Sequence, residues 1–462
     1  MTAFQPLYGK FSDIFGRKSS MLFATTIFLG GSLGCGASPS YWYLVWFRAL
    51  AGIGAGGLIS LPFIIIGDIV PIERRSSYMG MIQATFAISS VIGPLLGGLF
   101  VDYFNWRLVF YVNVPISLLA LLVVAFLLPG SRNTLNGNLK SKLQRVDVWG
   151  TITLVIGTSC IILGLNWGGK DYDWNSPQVI ISLVVGLLTL CIFVFVELRV
   201  ASEPVIPGHI FSRNVMIAST ITVSFGFTMF TALNYIPLYH QTVRMRSATE
   251  SGIQTIPLML GLSLAACISG LVADRLKMYR PLIWAGMVLV VVGDALWGLA
   301  RDAITPMEES FFSLLIGIGI GLNIQLGLLT AQLASDEKDM AVVTAFIRYA
   351  ISIGGVLGLA VHGSIFNNVF AYYLSNAFPV ISELQKVKAD LSDLSKVNTD
   401  ALPLVLNAYR SSFRILFLSL VVSASVGMVA SWFLEDIPLI KPGLETPVDI
   451  IPSVSEANLS KV

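Results

Sequence analysis

Gly9-Lys10-Phe11-Ser12-Asp13-Ile14-Phe15-Gly16-Arg17-Lys18 sets glycine, aspartate and cations between segments too apolar for a soluble protein. The stretch reads as a tight cytoplasmic turn between two membrane helices. Gly9 and Gly16 let the backbone turn and neighbouring helices approach closely. Asp13 can cap a helix start and pair with Arg17 or a neighbouring helix end. Arg17 and Lys18 are placed to face anionic headgroups and keep that side in the cytoplasm. A cationic stop after an apolar run would explain Arg17-Lys18 alone, but not the full spacing.

Composition points the same way. Hydrophobic residues make up 55% of the 462-residue chain and charged residues 12%, with a mean hydropathy of +0.77, against about 25% charged in globular proteins. The fold class is an all-α polytopic membrane protein. A net charge of +2 gives no reason to expect nucleic acid, and the cations cluster between apolar runs as a topology signal. Cys35, Cys160, Cys191 and Cys267 lie in apolar segments without metal-ligand spacing, as packing residues do. The chain shows no P-loop, nucleophile motif or metal cluster, so an enzyme, a cofactor and nucleotide-powered transport are not expected.

Met1 to Tyr8 is far short of the roughly 20 residues that span a bilayer, and reads as the end of a helix. Complete spans are expected near 20–38, 42–66, 78–100, 107–128, 148–166, 178–197, 214–238, 252–272, 281–300, 310–333, 341–366 and 412–434. With the opening turn cytoplasmic, the short loops on that side hold Lys10, Arg17, Lys18, Arg74, Arg75, Arg132, Lys140, Lys142, Arg145, Arg199, Arg213, Arg275, Lys277, Arg280 and Lys338. The opposite short loops hold only Arg107, Lys170, Arg244, Arg246 and Arg301, which obeys the positive-inside rule. The expected division is a helix bundle over 1–128, a cytoplasmic linker over 129–147 and two central helices over 148–197. A six-helix bundle over 214–434, with a non-cytoplasmic loop at 367–411, and a cytoplasmic tail over 435–462 follow. Within that loop Ile381, Leu384, Val387, Leu391 and Leu394 recur at helical spacing, suggesting a surface amphipathic helix or a lid packed on the bundle.

Arg48 precedes a run with Gly52, Gly54, Gly56 and Gly57. An arginine at membrane depth costs about 2.5–3.5 kcal/mol, so it should face a cavity or a carboxylate, unless it snorkels to the interface marked by Trp42 and Trp46. Gly93, Pro94, Gly97 and Gly98 lie near the non-cytoplasmic end of the next span, where they predict a bend at a close helix crossing.

Together, the G-x-x-x-D-x-x-G-R-K turn, the Arg48 run, the G-P-x-x-G-G element, Trp106-Arg107 and Asn113-Val-Pro115 resemble the major facilitator superfamily. The likeness is to its fourteen-helix drug:proton antiporter branch, and particularly to fungal members that include vacuolar basic amino acid transporters. The resemblance covers about Gly9 to Glu435. It implies a role for Arg48 in proton coupling and makes 148–166 and 178–197 the two extra central helices. Gly270-Leu-Val-Ala-Asp274-Arg275 echoes the opening turn in the repeated half, without its second glycine and paired cations. In that register the family's first helix and most of its second are absent, and a missing upstream exon or start site is the expected reason.

In the second half, Asn234 and Tyr235 precede Pro237, which can break the helix and free carbonyls for a substrate. Asn323 and Gln325 follow Gly317, Gly319 and Gly321, and Arg348 precedes Gly354, Gly355 and Gly358. The amides serve either substrate contact or interhelical hydrogen bonding. Asp294 is an acid in an apolar run, either a proton carrier or a solvated rim residue, and His362 has no evident partner. The leading expectation is a monomeric, proton-coupled antiporter moving amino acids, basic ones included, into the vacuole. In that expectation Asp294 and Arg48 handle protons, and Asn234, Tyr235, Asn323, Gln325 and Arg348 contact substrate. The alternatives are a plasma-membrane multidrug:proton exporter and a non-transporting sensor or inactive relic.

Overall fold

The computed structural model describes residues 1–70, 72–129, 147–168, 172–199, 204, 206–276, 278–300, 304–336, 339–378 and 401–436. Helices dominate them. α1 (Gln5–Phe15), α2 (Arg17–Gly36), α3 (Tyr41–Ile69), α4 (Ile72–Tyr103), the single turn α5 (Leu108–Tyr111) and α6 (Asn113–Leu127) form a first group. α7 (Val148–Trp167) and α8 (Pro177–Arg199) pair with each other. The remaining group is α9 (Arg213–Thr242), α10 (Ala248–Leu276), α11 (Arg280–Leu299), α12 (Pro306–Leu333), α13 (Met340–Ala377) and α14 (Leu402–Trp432). Among the described residues, 11 segments are long and apolar enough to cross a membrane, and α4 occupies the span expected at 78–100.

Local chemistry sets several of the boundaries. Thr305 and Glu308 form a reciprocal capping box at the start of α12, with Pro306 at the first helical position, which is why that helix begins earlier than hydropathy alone suggests. Asp147 caps α7 by accepting from the Gly150 amide at 2.8 Å. The opening stretch is not a ten-residue turn: α1 runs through Gly9 and Asp13 to Phe15, and the whole reversal falls on Gly16, whose φ of 91° suits a residue without a Cβ. Pro237 likewise does not break its helix, because α9 continues through it to Thr242.

The expected loop at 367–411 is shorter than its hydropathy suggested, since α13 extends to Ala377 and α14 starts at Leu402. The apolar register of Ile381 to Leu394, most of the linker and most of the tail lie outside the described residues.

The largest core fills the second group, where α9, α11, α12, α13 and α14 converge around Phe225, Met287, Trp297, Ile316 and Phe417. Small residues bring its helices into contact. A Cβ on Gly354 or Gly358 would collide with the backbone of Val223 or Phe227 on α9, and one on Gly321 with the backbone of α10. A second core, containing Leu7, Phe63, Met79, Leu154, Val343 and Ile347, joins the first group, the α7–α8 pair and the second group near the Gly16 end.

Candidate functional site

The two groups meet along two seams. At the first, α1 and α3 lie against α13. Gly9 makes that approach possible: a Cβ there would stand 2.9 Å from the Ala345 Cβ and 3.3 Å from the Ala341 carbonyl oxygen. Gly9 therefore serves helix contact and not the turn. Arg17 does not point to headgroups. It turns inward, pairing with Asp13 at 2.6 Å and Asp68 at 2.5 Å, and also donates to Ser12. Burial pushes the Asp13 carboxyl up, against the opposite pull of Arg17. Asp68, at the end of α3, is a member of this cluster that sequence reasoning missed. Lys18 is half-buried beside it.

Two turns into α13, the Arg348 guanidinium lies over the Phe63 ring of α3, 3.7 Å from its centroid. The residue is only 7% exposed, and its Nε and Nη2 have no hydrogen-bond partner among the described residues. A buried cation held by a ring face and few hydrogen bonds is costly unless something else serves it. Its neighbour Tyr349 lies 3.3 Å from the Thr158 hydroxyl and so ties α7 to α13.

The second seam is α4 against α10. Gly98 makes its close crossing, with a Cβ there 3.2 Å from the Thr249 Cα, while Gly93 and Gly97 face open space. α4 continues through Pro94, whose side chain lies outside the described set, as does that of Asp274. Asp274 and Arg275 fall in the last part of α10, where Arg275 is exposed. Arg48 meets neither a cavity nor a carboxylate among the described residues; it is exposed on α3, with its guanidinium 5.7 Å from the Phe110 centroid.

The predicted polar residues of the second group do not converge on one site. Asp294 is fully buried inside it, not at a rim. The Thr228 hydroxyl donates to its Oδ2 at 3.4 Å, and Oδ1 has no partner among the described residues. Asn323 is buried against Gly286 and donates to the Gly319 carbonyl at 2.8 Å, so it serves helix packing. Gln325, two residues on, points to a different face of α12. Asn234 is exposed and donates to the Phe230 carbonyl, whereas Tyr235 turns toward Phe366 and Phe413. Phe225 and Met229 are core, and Phe227 and Phe230 pack on Gly358 and Gly355.

His362 does have a partner: its Nε2 lies 3.3 Å from the Ser423 hydroxyl, while its Nδ1–H donates to the Gly358 carbonyl. Ser224 donates to the Ser423 carbonyl, linking α9, α13 and α14. A further cluster escaped the sequence reading: Glu309, 1% exposed, receives Arg244 at 2.5 Å, with buried His240 at 3.8 Å. Arg244 looked like a loop charge, and only its contact across 65 residues reveals the pairing.

Comparison with known proteins gives concordant findings. The family profile described as Major Facilitator Superfamily matches residues 1–359. The MFS-type efflux pump MFS1 of Arthroderma benhamiae is 32% identical over 380 residues, 82% of this chain and 71% of that protein. The efflux pump aflT of Aspergillus parasiticus is 33% identical over 81% of this chain and 73% of its own length. The rubrofusarin-specific efflux pump aurT of Gibberella zeae is 30% identical over 94% and 78%, respectively. Among solved structures, one of a proton dependent oligopeptide transporter aligns with a TM-score of 0.56 at 17% identity, covering 94% of this chain and 88% of that one. The human organic anion transporter MFSD10 aligns with a TM-score of 0.53 at 15% identity, over 92% and 80%. At these identities the structural likeness speaks to the fold alone.

Proposed function

This chain belongs to the Major Facilitator Superfamily, a multi-pass membrane transporter and not an enzyme, and from that premise we propose that it exports amphipathic small molecules across the plasma membrane in exchange for protons. The observation that carries the mechanism is the pair of seams. At the first, α1 and α3 meet α13 through a glycine contact and few polar bonds, which the helices can break and remake as they rock, whereas α4 is held mainly by α10. Closure at α1–α13 shields Arg348 and Phe63 from the Gly16 end; opening there exposes a cation and a ring face to substrate. Charge movement down the membrane potential supplies about 2.3 kcal/mol per charge per 100 mV.

Asp294 and Arg48 remain the proposed proton-handling pair and Arg348 a substrate contact. Asn323 is better assigned to packing. Efflux names recur among relatives at about 30% identity, and they support export more than the vacuolar amino-acid reading. The test is accumulation of a fluorescent amphipathic dye in efflux-deficient yeast expressing the protein. Lower accumulation, restored by a protonophore, is expected. Unchanged dye levels together with new arginine or lysine uptake by isolated vacuoles would replace export with amino-acid transport.

A further inference from the structure

At the end of the second group opposite Gly16, α9, α11 and α14 line a half-open cavity of about 490 Å³. Its position separates it from the transport seams. α11 packs only on α12 and α14 among its principal neighbours, and neither α11 nor α14 lies against α1–α6. The floor is aromatic: Trp297 stacks on Phe417 with centroids 5.0 Å apart and an interplanar angle of 17°, and Tyr239 meets Trp297 and Phe413 edge-on, each at 5.3 Å. Trp297 is 4% exposed and Phe413 and Phe417 less, so this aromatic layer is core that walls the cavity from below, and the Trp297 Nε1–H is already donated to Ser313.

Over this floor stand Arg410 and Arg414. Four residues apart on α14, they share one helix face with Cβ atoms about 5–6 Å apart. Among the described residues neither has a carboxylate within ion-pair distance, and the nearby buried acid, Glu309, is committed to Arg244. α14 has 31 residues, about 46 Å of helix, which exceeds a hydrocarbon core of about 30 Å. Arg410 and Arg414 lie about 12 and 18 Å along it from Leu402, at the depth where headgroups give way to acyl chains. Arg410 is half-buried and Arg414 exposed, and two adjacent cations repel each other, a repulsion that an anion seated between them relieves.

We infer that this cavity is a second ligand site, distinct from the transport path, that binds an organic anion with its phosphate or sulfonate head between Arg410 and Arg414. Guanidinium forks match such heads in geometry and charge, and the volume leaves room beside them for the rest of a drug-sized or lipid-derived molecule. A ligand seated there bridges α9, α11 and α14, so it stabilises the second group without competing for the transport substrate. The head can come from an anionic lipid or from a soluble aryl anion. The inference does not rest on which compound is exported.

The test uses the purified full chain in neutral detergent, with dioleoyl phosphatidylglycerol, dioleoyl phosphatidylcholine and 2-naphthalenesulfonate as probes. Retention is read by native mass spectrometry and stability by thermal unfolding. Phosphatidylglycerol should bind and raise Tm where phosphatidylcholine does not. R410Q/R414Q should weaken that binding by about tenfold or more, the loss of charge-assisted hydrogen bonds, and R410K/R414K by less. If naphthalenesulfonate binds with this arginine dependence and phosphatidylglycerol does not, the site is real and its ligand is soluble. In the wild-type protein, a bound probe should also slow phenylglyoxal labelling of Arg410 and Arg414, a readout that survives failure of the variants to fold. Absence of binding by both anionic probes, equal binding to R410Q/R414Q, or labelling unaffected by bound probe would each overturn the proposal.

Discussion

Replacing Gly9 with alanine places one methyl group in the tightest contact of the α1–α13 seam. The new Cβ would stand 2.9 Å from the Ala345 Cβ and 3.3 Å from the Ala341 carbonyl oxygen, so the helices must separate by several tenths of an ångström to restore ordinary contact. Overpacking of this kind costs about 1–3 kcal/mol. If seam opening relieves it, the population open at the Gly16 end rises roughly 5- to 150-fold. The assay is maleimide labelling of Val342→Cys, a position 6% exposed beside Gly9, after the native Cys35, Cys160, Cys191 and Cys267 are replaced. Gly9→Ala should speed labelling within that range, and Gly9→Val should speed it further. The stronger expectation is rescue. Because the closest contact is Cβ to Cβ, Gly9→Ala combined with Ala345→Gly should restore most of the slow labelling, less about 0.5–1 kcal/mol for a glycine inside a helix. Unchanged labelling in Gly9→Ala, or a double variant as reactive as the single one, would refute the claim that this contact sets closure.

The Arg17 cluster ties α1, α2 and α3 together within the first group and is partly exposed, so each ion pair contributes only about 0.2–1 kcal/mol; Asp68→Asn should lower stability in thermal unfolding by no more than that, Arg17→Ala by more, and Lys18→Ala should leave it unchanged. For Arg348, a desolvated cation–π contact is worth about 2 kcal/mol, so Arg348→Gln and Phe63→Leu should have similar effects on transport rate and their combination little more than either; additive losses would show that the two act separately. Asp294→Asn should abolish gradient-driven transport in proteoliposomes while substrate counterflow persists, and equal loss of both would assign Asp294 to substrate contact or folding. Arg48→Ala should likewise stop gradient-driven transport with the protein still in its membrane, and Arg48→Lys should restore part of it; wild-type rates in the alanine variant would make Arg48 a snorkelling residue.

Hydropathy located the spans because burial in a bilayer leaves a composition signal along the chain itself, readable without any knowledge of contacts. The i,i+4 pair of Asp13 and Arg17 was readable for the same reason, its partners being neighbours on the chain. Gly9 and Gly16 were given turning and close packing jointly, since both call for glycine, and the 38-residue helix α13 beside Gly9 shows that close packing is its share. What escaped the sequence was pairing at long range: Asp68 with Arg17, Phe63 under Arg348, and Glu309 with Arg244. Each is an ordinary residue at a span end or in an apolar run, and nothing local marks it. Asn323 shows the opposite limit, a polar residue at membrane depth that sequence leaves open between packing and substrate: its Nδ2 is held by its own helix, and its Oδ1 has no partner among the described residues.

The glycine crossings inside the second group have a consequence for how damage to this protein would be seen. Helix backbones that touch at Gly321, Gly354 and Gly358 leave no room for a side chain, and all three contacts lie inside one group, away from the seams proposed to move. A substitution there cannot be accommodated by favouring one transport state over another, so it should be lost during assembly in the membrane. Variants at these positions would show normal turnover per surviving molecule but few molecules, whereas variants at Gly9 would show full abundance with altered turnover. Counting protein at the membrane before measuring flux thus sorts harmful changes into those that prevent the machine from being built and those that bias its cycle.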